Sequence, residues 1–259
     1  MLHVWKKRQE MSAFTLIELL VVISIISLLI SILLPALGAA RQSAQAIKCS
    51  TMLKSLGMAN AIYASDGKGW QVPNTTWGID NGFVTGGSGS EATVNWYNIT
   101  GFRQALNWPM SISGDKWYST PLSSVCPNAT YAFEKISSKG YVRMSYTYGQ
   151  NIMTKSAYEY LSGDHMDHLD TNMRAFHDSK IIKPSEKFLF GDAVSGNLTK
   201  DQSMSYAGET KQSNTIAYRH PGTTTNVVFF DGHCQRISID DLGVPGYWDY
   251  HKNWGAYDH

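Results

Sequence analysis

Between Met11 and Ala40 the chain carries one charged side chain, Glu18, and from Leu19 to Leu34 it is almost wholly apolar. Counted with Phe14 to Ile17 ahead of it, the run reaches the roughly 20 residues that cross the hydrocarbon core of a bilayer. Lys6, Lys7 and Arg8 precede it, and the next charge after it is Arg41. Basic flanks stay on the cytoplasmic side, so the N-terminus is expected in the cytoplasm and residues 41–259 across the membrane. A cleaved secretory signal has an apolar stretch of only about 7–15 residues and a small-residue cleavage site behind it. This run is longer, and Ala36 to Ala40 forms a weak site of that kind. A plain signal anchor fits the length but leaves Glu18 unexplained. A carboxylate in a spanning segment costs several kcal/mol and marks function by default. The bland reading is a Glu that snorkels to the membrane edge.

The rest of the composition narrows the class. The 259 residues hold 22 basic and 21 acidic groups, a net charge of +1, which argues against binding nucleic acid through a basic field. Hydrophobic residues make up 43% and aromatic ones 12%, enough to build a core and to exclude wholesale disorder. Three cysteines exclude a disulfide-dense scaffold.

The order Ala13-Phe14-Thr15-Leu16-Ile17-Glu18-Leu19-Leu20-Val21-Val22-Ile23 closely resembles the N-terminal signature of type IV pilins and type II secretion pseudopilins. The resemblance implies that a prepilin peptidase cuts between Ala13 and Phe14 and that the new N-terminus is methylated. Ala13 stands where that family usually has Gly. Glu18 becomes the fifth mature residue and Pro35 the twenty-second, where many pilins also carry a proline. It further implies that Glu18 pairs with the α-amino cation of a neighbouring subunit, offsetting the burial of both charges and favouring assembly. The implied partners are the prepilin peptidase, other pilin-like subunits, an inner-membrane assembly platform and membrane lipid, with no nucleic acid. The implied location is a single pass of the inner membrane, N-terminus cytoplasmic and globular domain periplasmic or extracellular, with a filament after assembly.

Helical character continues beyond the run. Cys49, Met52, Leu53, Leu56, Asn60 and Tyr63 fall on one stripe of a 3.6-residue period, with Lys48 and Lys54 off it. This stripe is expected to dock on a globular domain, and Asp66-Gly67-Lys68-Gly69 to end the helix. A single helix over residues 14–64 would span about 77 Å, with Pro35 and Gly38 kinking or locally melting it. Further on, Gly82 to Ser90 reads as an exposed loop, and strands are expected over Val142–Tyr148, Lys187–Phe190, Thr225–Phe230 and His233–Ile239. Asp231-Gly232 between the last two signals a type I′ hairpin, with Lys187–Phe190 pairing beside it. The expected fold class is α+β and pilin-like: a long N-terminal helix packed on a mainly antiparallel sheet. The expected divisions are a leader over 1–13, a transmembrane and assembly helix over 14–38, its amphipathic continuation over 39–65 and a β-rich domain over 66–259.

A second resemblance lies in Arg219-His220, ten intervening residues, then Asp231-Gly232-His233. It looks like the C-terminal "H-X9-DG" motif of a large group of pilin-like proteins. One more residue intervenes here, so Pro221 to Thr225 is expected to hold an insertion. Cys49, Cys126-Pro127, Ser145-Tyr146 to Asn151 and Pro184-Ser185-Glu186 follow that group's order as well.

The remaining candidates each carry two readings. His220 and Asp231 suit a metal or a carboxylate–imidazole catalytic pair; the favoured reading is that His220 bonds backbone or Asp231 and, with Gly232, locks the hairpin. Asp192 and His233 are further potential ligands. Asp164-His165-Met166-Asp167-His168-Leu169-Asp170 holds five potential ligands in seven residues, but a solvated polar loop is favoured, so no metal or cofactor is assigned. Cys49 and Cys126, in the oxidising compartment that the expected topology gives them, either form a disulfide between helix and globular domain or serve as two small core hydrophobes, with Cys234 a free thiol. The aromatics of Trp70–Trp117 and Tyr247–Tyr257 either pack the core or form a glycan- or polymer-binding face. The latter would make the protein a membrane-anchored or filament-displayed surface-binding module. P-loop, HExxH, GxSxG and CxxC motifs are absent, and nothing in the sequence points to an enzyme.

Overall fold

A computed structural model describes residues 15–77, 93–109, 120–138, 140–151, 177–181, 183–198, 206–210, 212 and 214–243. It is dominated by helix α1, Leu16–Asp66, 51 residues long. The chain divides into two compact units, Met1–Ser43 and Ala44–His259.

In the first unit α1 is apolar on every side, and its large side chains are exposed, from Leu16 at 86% down to Val22 at 45%. By length and composition it can cross a membrane. Two of its serines are satisfied within the helix. Ser24 Oγ donates to Leu20 O at 2.7 Å and Ser31 Oγ to Leu28 O at 2.8 Å, the back-bonding that lets a hydroxyl tolerate an apolar medium. The helix starts with a capping box. Thr15 Oγ1 accepts from Glu18 N at 3.2 Å, while Glu18 Oε2 accepts from Thr15 N and Thr15 Oγ1, both at 2.9 Å. Helical structure runs unbroken through Pro35 and Gly38, so the expected local melting is absent. Proline removes one N–H···O bond there, and the flanking turns hold.

In the second unit α1 buries Ala46, Cys49, Leu53, Leu56, Gly57, Ala59, Asn60, Tyr63 and Ala64, which is the expected stripe widened by small residues. It ends as expected at Asp66. Gly67 N and Gly69 N donate to Tyr63 O and Ala64 O, both at 2.8 Å, and Lys68 and Gly69 take left-handed φ of 54° and 92°.

The elements that follow are short: β1 (Thr75–Trp77), β2 (Thr93–Asn95), α2 (Thr100–Ala105), β3 (Thr120–Pro121), α3 (Thr130–Glu134), β4 (Tyr141–Val142), β5 (Tyr148–Asn151), β6 (Phe188–Asp192), β7 (Asn197–Leu198), β8 (Thr224–Phe229), β9 (Cys234–Ser238) and α4 (Ile239–Gly243). The domain is thus α+β. β1 pairs with β2 and β3 with β4, both antiparallel. The main sheet has the order β7-β5-β6-β8-β9, and β5–β7 is its one parallel pair.

Two expectations change. Val142–Tyr148 is not one strand: a 3₁₀ turn at Met144–Tyr146 separates β4 from β5. The β8–β9 turn is not type I′, which needs two positive φ values. Only Gly232 is positive, at 86°, with Gly232 N donating to Phe229 O and Phe229 N to His233 O, both at 2.9 Å. That is a type I turn closed by a glycine bulge.

Alternation along β8 sends Val228 into a core with Cys49, Leu53, Leu56, Trp96, Phe102, Tyr148 and Phe190. Val227 and Phe229 enter a second core with Phe188, Leu198, Ile216, Tyr218 and Ile237. A register shift between Phe188 and Phe190 in β6 places those two rings in different cores. Buried Leu, Val and Phe side chains each contribute about 1.5–3 kcal/mol relative to exposure. Helix and sheet approach closely at Gly57, where a Cβ would meet Val228 Cγ2 at 2.8 Å.

Candidate functional site

The densest chemistry in the described residues lies between α1 and the main sheet. Asp192 closes β6, and its position opposite Tyr148 in β5 points it inward. His220 precedes β8 and is fixed by a reciprocal backbone pair with Thr224, His220 N to Thr224 O at 3.1 Å and Thr224 N to His220 O at 3.3 Å. Between them Pro221–Thr223 reverse the chain, with Gly222 (φ 77°) and Thr223 (φ 53°) in the left-handed region.

His220 Nε2 lies 2.9 Å from Asp192 Oδ2, and both side chains are fully buried. A carboxylate can only accept, so Nε2 carries the proton and donates it. Asn226 donates to the same Oδ2 twice, from its backbone N at 2.8 Å and its Nδ2 at 3.1 Å. Asp192 Oδ1 is buried and has no hydrogen-bond partner. An unpaired buried acceptor of this kind costs about 1–3 kcal/mol. Asn128 Nδ2 is anchored on Arg219 O at 3.0 Å and sits 3.5 Å from His220 Nδ1. The Arg219 guanidinium donates to Thr147 O and Ala193 O at 3.2 and 2.6 Å and lies 2.9 Å from Glu209 Oε1.

Cys49 of α1 and Cys126 are joined by a disulfide, with a Cα–Cα distance of 5.0 Å. Cys126 is seated by its own N–H, which donates to Thr147 Oγ1 at 2.9 Å, and its sulfur lies 3.9 Å from His220 Nε2. The bond therefore ties the helix to the loop before α3, directly beside the imidazole–carboxylate pair. Cys234 is a free thiol. Burial pushes its ionisation up, against weaker opposing effects of Ser50 and Lys54.

His220 was expected to bond backbone or Asp231; its backbone pairs with Thr224, and its ring does not meet Asp231. His220 takes Asp192 instead. Asp231 stays at the hairpin tip, where its Oδ1 lies 2.6 Å from His233 Nδ1 and accepts from His233 N at 3.1 Å. The His233 ring stacks on Phe229 with centroids 4.1 Å apart. The two halves of the motif thus make separate imidazole–carboxylate pairs, one sealed in the core and one exposed. A fully buried pair of this kind suits positioning of the elements that carry it.

Trp70, Trp96, Tyr97 and Trp108 are buried, and Trp96 packs on Tyr97, Phe102 and Phe190 with its Nε1 donating to Gly196 O at 3.1 Å. Trp70, Trp96 and Trp108 are core residues. Ala13, Phe14, Gly82–Ser90, Asp164–Asp170, Trp117 and Tyr247–Tyr257 lie outside the described residues. The capping partner Thr15 was missed as a site residue, and Asp192 was named only as a further potential ligand, not as the partner of His220. The first is legible as T-x-x-E ahead of an apolar run. The second shows only as an acid closing an apolar strand.

Compared with models of protein families, with curated proteins and with solved structures, the chain matches none of them.

Proposed function

We propose that the protein is a pilin-like structural subunit, cut before Phe14 by a prepilin peptidase and assembled through α1 into a secretion pseudopilus or a type IV pilus-like filament. The observation that carries the proposal is the first half of α1: apolar and exposed on every side, with Glu18 as its one carboxylate, held at the first turn. Such a surface requires a bilayer or other copies of itself. On this reading the helix anchors the chain in the inner membrane until assembly, and the sheet domain is displayed in the periplasm or outside the cell. Its role is cohesion, not catalysis. In the uncut chain Glu18 is satisfied by Thr15. Cutting before Phe14 puts an α-amino cation one residue away from that cap, so the carboxylate gains a charged partner on a neighbouring subunit. Replacing Glu18 by Ala should leave insertion and cleavage intact and sharply reduce filament yield in shearing and sedimentation assays. Normal filament yield from that variant would defeat the proposal.

A further inference from the structure

We propose that when the Cys49–Cys126 bond is reduced, the two thiolates join Asp192 and His220 in a closed tetrahedral site for a zinc-class divalent cation. The ligand atoms of these four residues all lie within 4.8 Å of one another, and all four residues are buried. They arrive from α1, from the loop before α3, from the end of β6 and from the turn before β8, so an ion bound among them would clamp the helix to the sheet as the disulfide does. A tetrahedral zinc centre with sulfur at about 2.3 Å and nitrogen or oxygen at about 2.0–2.1 Å needs donors only roughly 3.3–3.8 Å apart. Cys126 Sγ and His220 Nε2 already stand 3.9 Å apart. Asp192 Oδ1 is the independent sign of a missing partner: it is buried and accepts no hydrogen bond, while Oδ2 is held by Asn226. Oδ1 can therefore ligate without dismantling the second shell.

The donor set selects the ion. Two thiolates and an imidazole favour zinc over calcium or magnesium, which take oxygen ligands. Ligation at Nε2 moves the imidazole proton to Nδ1, which faces the Asn128 carboxamide at 3.5 Å. The redox step balances with a trialkylphosphine and water. The S–S bond breaks, each sulfur becomes a thiol and the phosphine becomes its oxide. Ion binding then releases both thiol protons to solvent.

The inference rests on the disulfide and its neighbours, not on the filament reading. The full-length chain in detergent is reduced with a phosphine, refolded with zinc or cobalt because a closed site loads on folding, and desalted. One ion per chain is expected in the reduced form and none in the oxidised form. The cobalt form should show thiolate-to-metal charge-transfer bands together with tetrahedral ligand-field absorption. Asp192→Asn and His220→Gln should each weaken binding at least about tenfold, and Cys234→Ser should leave the stoichiometry unchanged. A reduced wild-type chain that holds no ion, a cobalt spectrum without thiolate bands, or full binding in both Asp192→Asn and His220→Gln overturns the proposal.

Discussion

Removing the Cys49–Cys126 bond is the perturbation whose size is best fixed by the structure. The cysteines are 77 residues apart in sequence. Closing a loop of that length removes roughly 15 cal/mol/K of entropy from the unfolded chain, so the bond contributes about 4.5 kcal/mol at 25 °C. Nothing compensates in the double variant Cys49→Ala/Cys126→Ala, because both positions are fully buried and the lost sulfurs leave small voids. For a unit of this size each kcal/mol moves the melting midpoint by about 2–4 °C, so a drop of roughly 9–18 °C is expected. The assay is a thermal melt of the full-length chain in mild detergent, followed by near-ultraviolet circular dichroism. That signal reports the packed rings around Trp96, whereas far-ultraviolet signal would be carried partly by the apolar half of α1. A chelator is kept present so that no metal replaces the bond. A midpoint lowered by less than about 3 °C would refute the reasoning, since it would mean that the unfolded chain already holds these segments together or that the bond is strained.

Gly57→Ala should cost about 1–2 kcal/mol, because the added Cβ would lie 2.8 Å from Val228 Cγ2 on stiff β8. That outweighs the gain of up to about 1 kcal/mol in helix propensity. Gly38→Ala, with nothing within 4 Å of its Cβ, should show no such loss, and equal behaviour of the two in chemical denaturation would contradict the helix–sheet contact. Stability should also fall in alkali. Burial pushes the hydroxyls of Tyr63 and Tyr97 up to about 12, and raises Tyr148 as well. Below about pH 10 the tyrosines are neutral in both states and their contribution is complete. Between about 10 and 12 the unfolded chain ionises first, and each group removes up to about 1.4 kcal/mol per pH unit. Urea midpoints that stay level up to pH 11 would contradict this burial.

What could be read from the sequence was whatever depends on local period and composition. The apolar half of α1, the stripe from Cys49 to Tyr63, the helix end at Asp66 and the β8–β9 pairing all follow from side-chain spacing within a few turns or one hairpin. Long-range choices were not legible. Asp192 and His220 are 28 residues apart and meet only because β6 and β8 pair, whereas spacing alone suggested Asp231. The parallel pairing of β7 with β5 depends on how the chain returns after Asp192, which no periodicity encodes. Trp70 and Trp96 looked equally suited to a surface or a core, and packing partners decided for the core. The capping box was present as Thr15-x-x-Glu18, but its reciprocal pattern was hidden by the stronger apolar signal behind it.

Cutting before Phe14 is the central claim, because the assembly role of Glu18 depends on the amine it creates. Mass spectrometry of the mature N-terminus from the native membrane tests it directly. The account predicts a chain that begins at N-methylated Phe14. A chain that retains Met1, or one cut behind Ala36 to Ala40, would contradict it and leave a simple anchor or a secreted domain in its place.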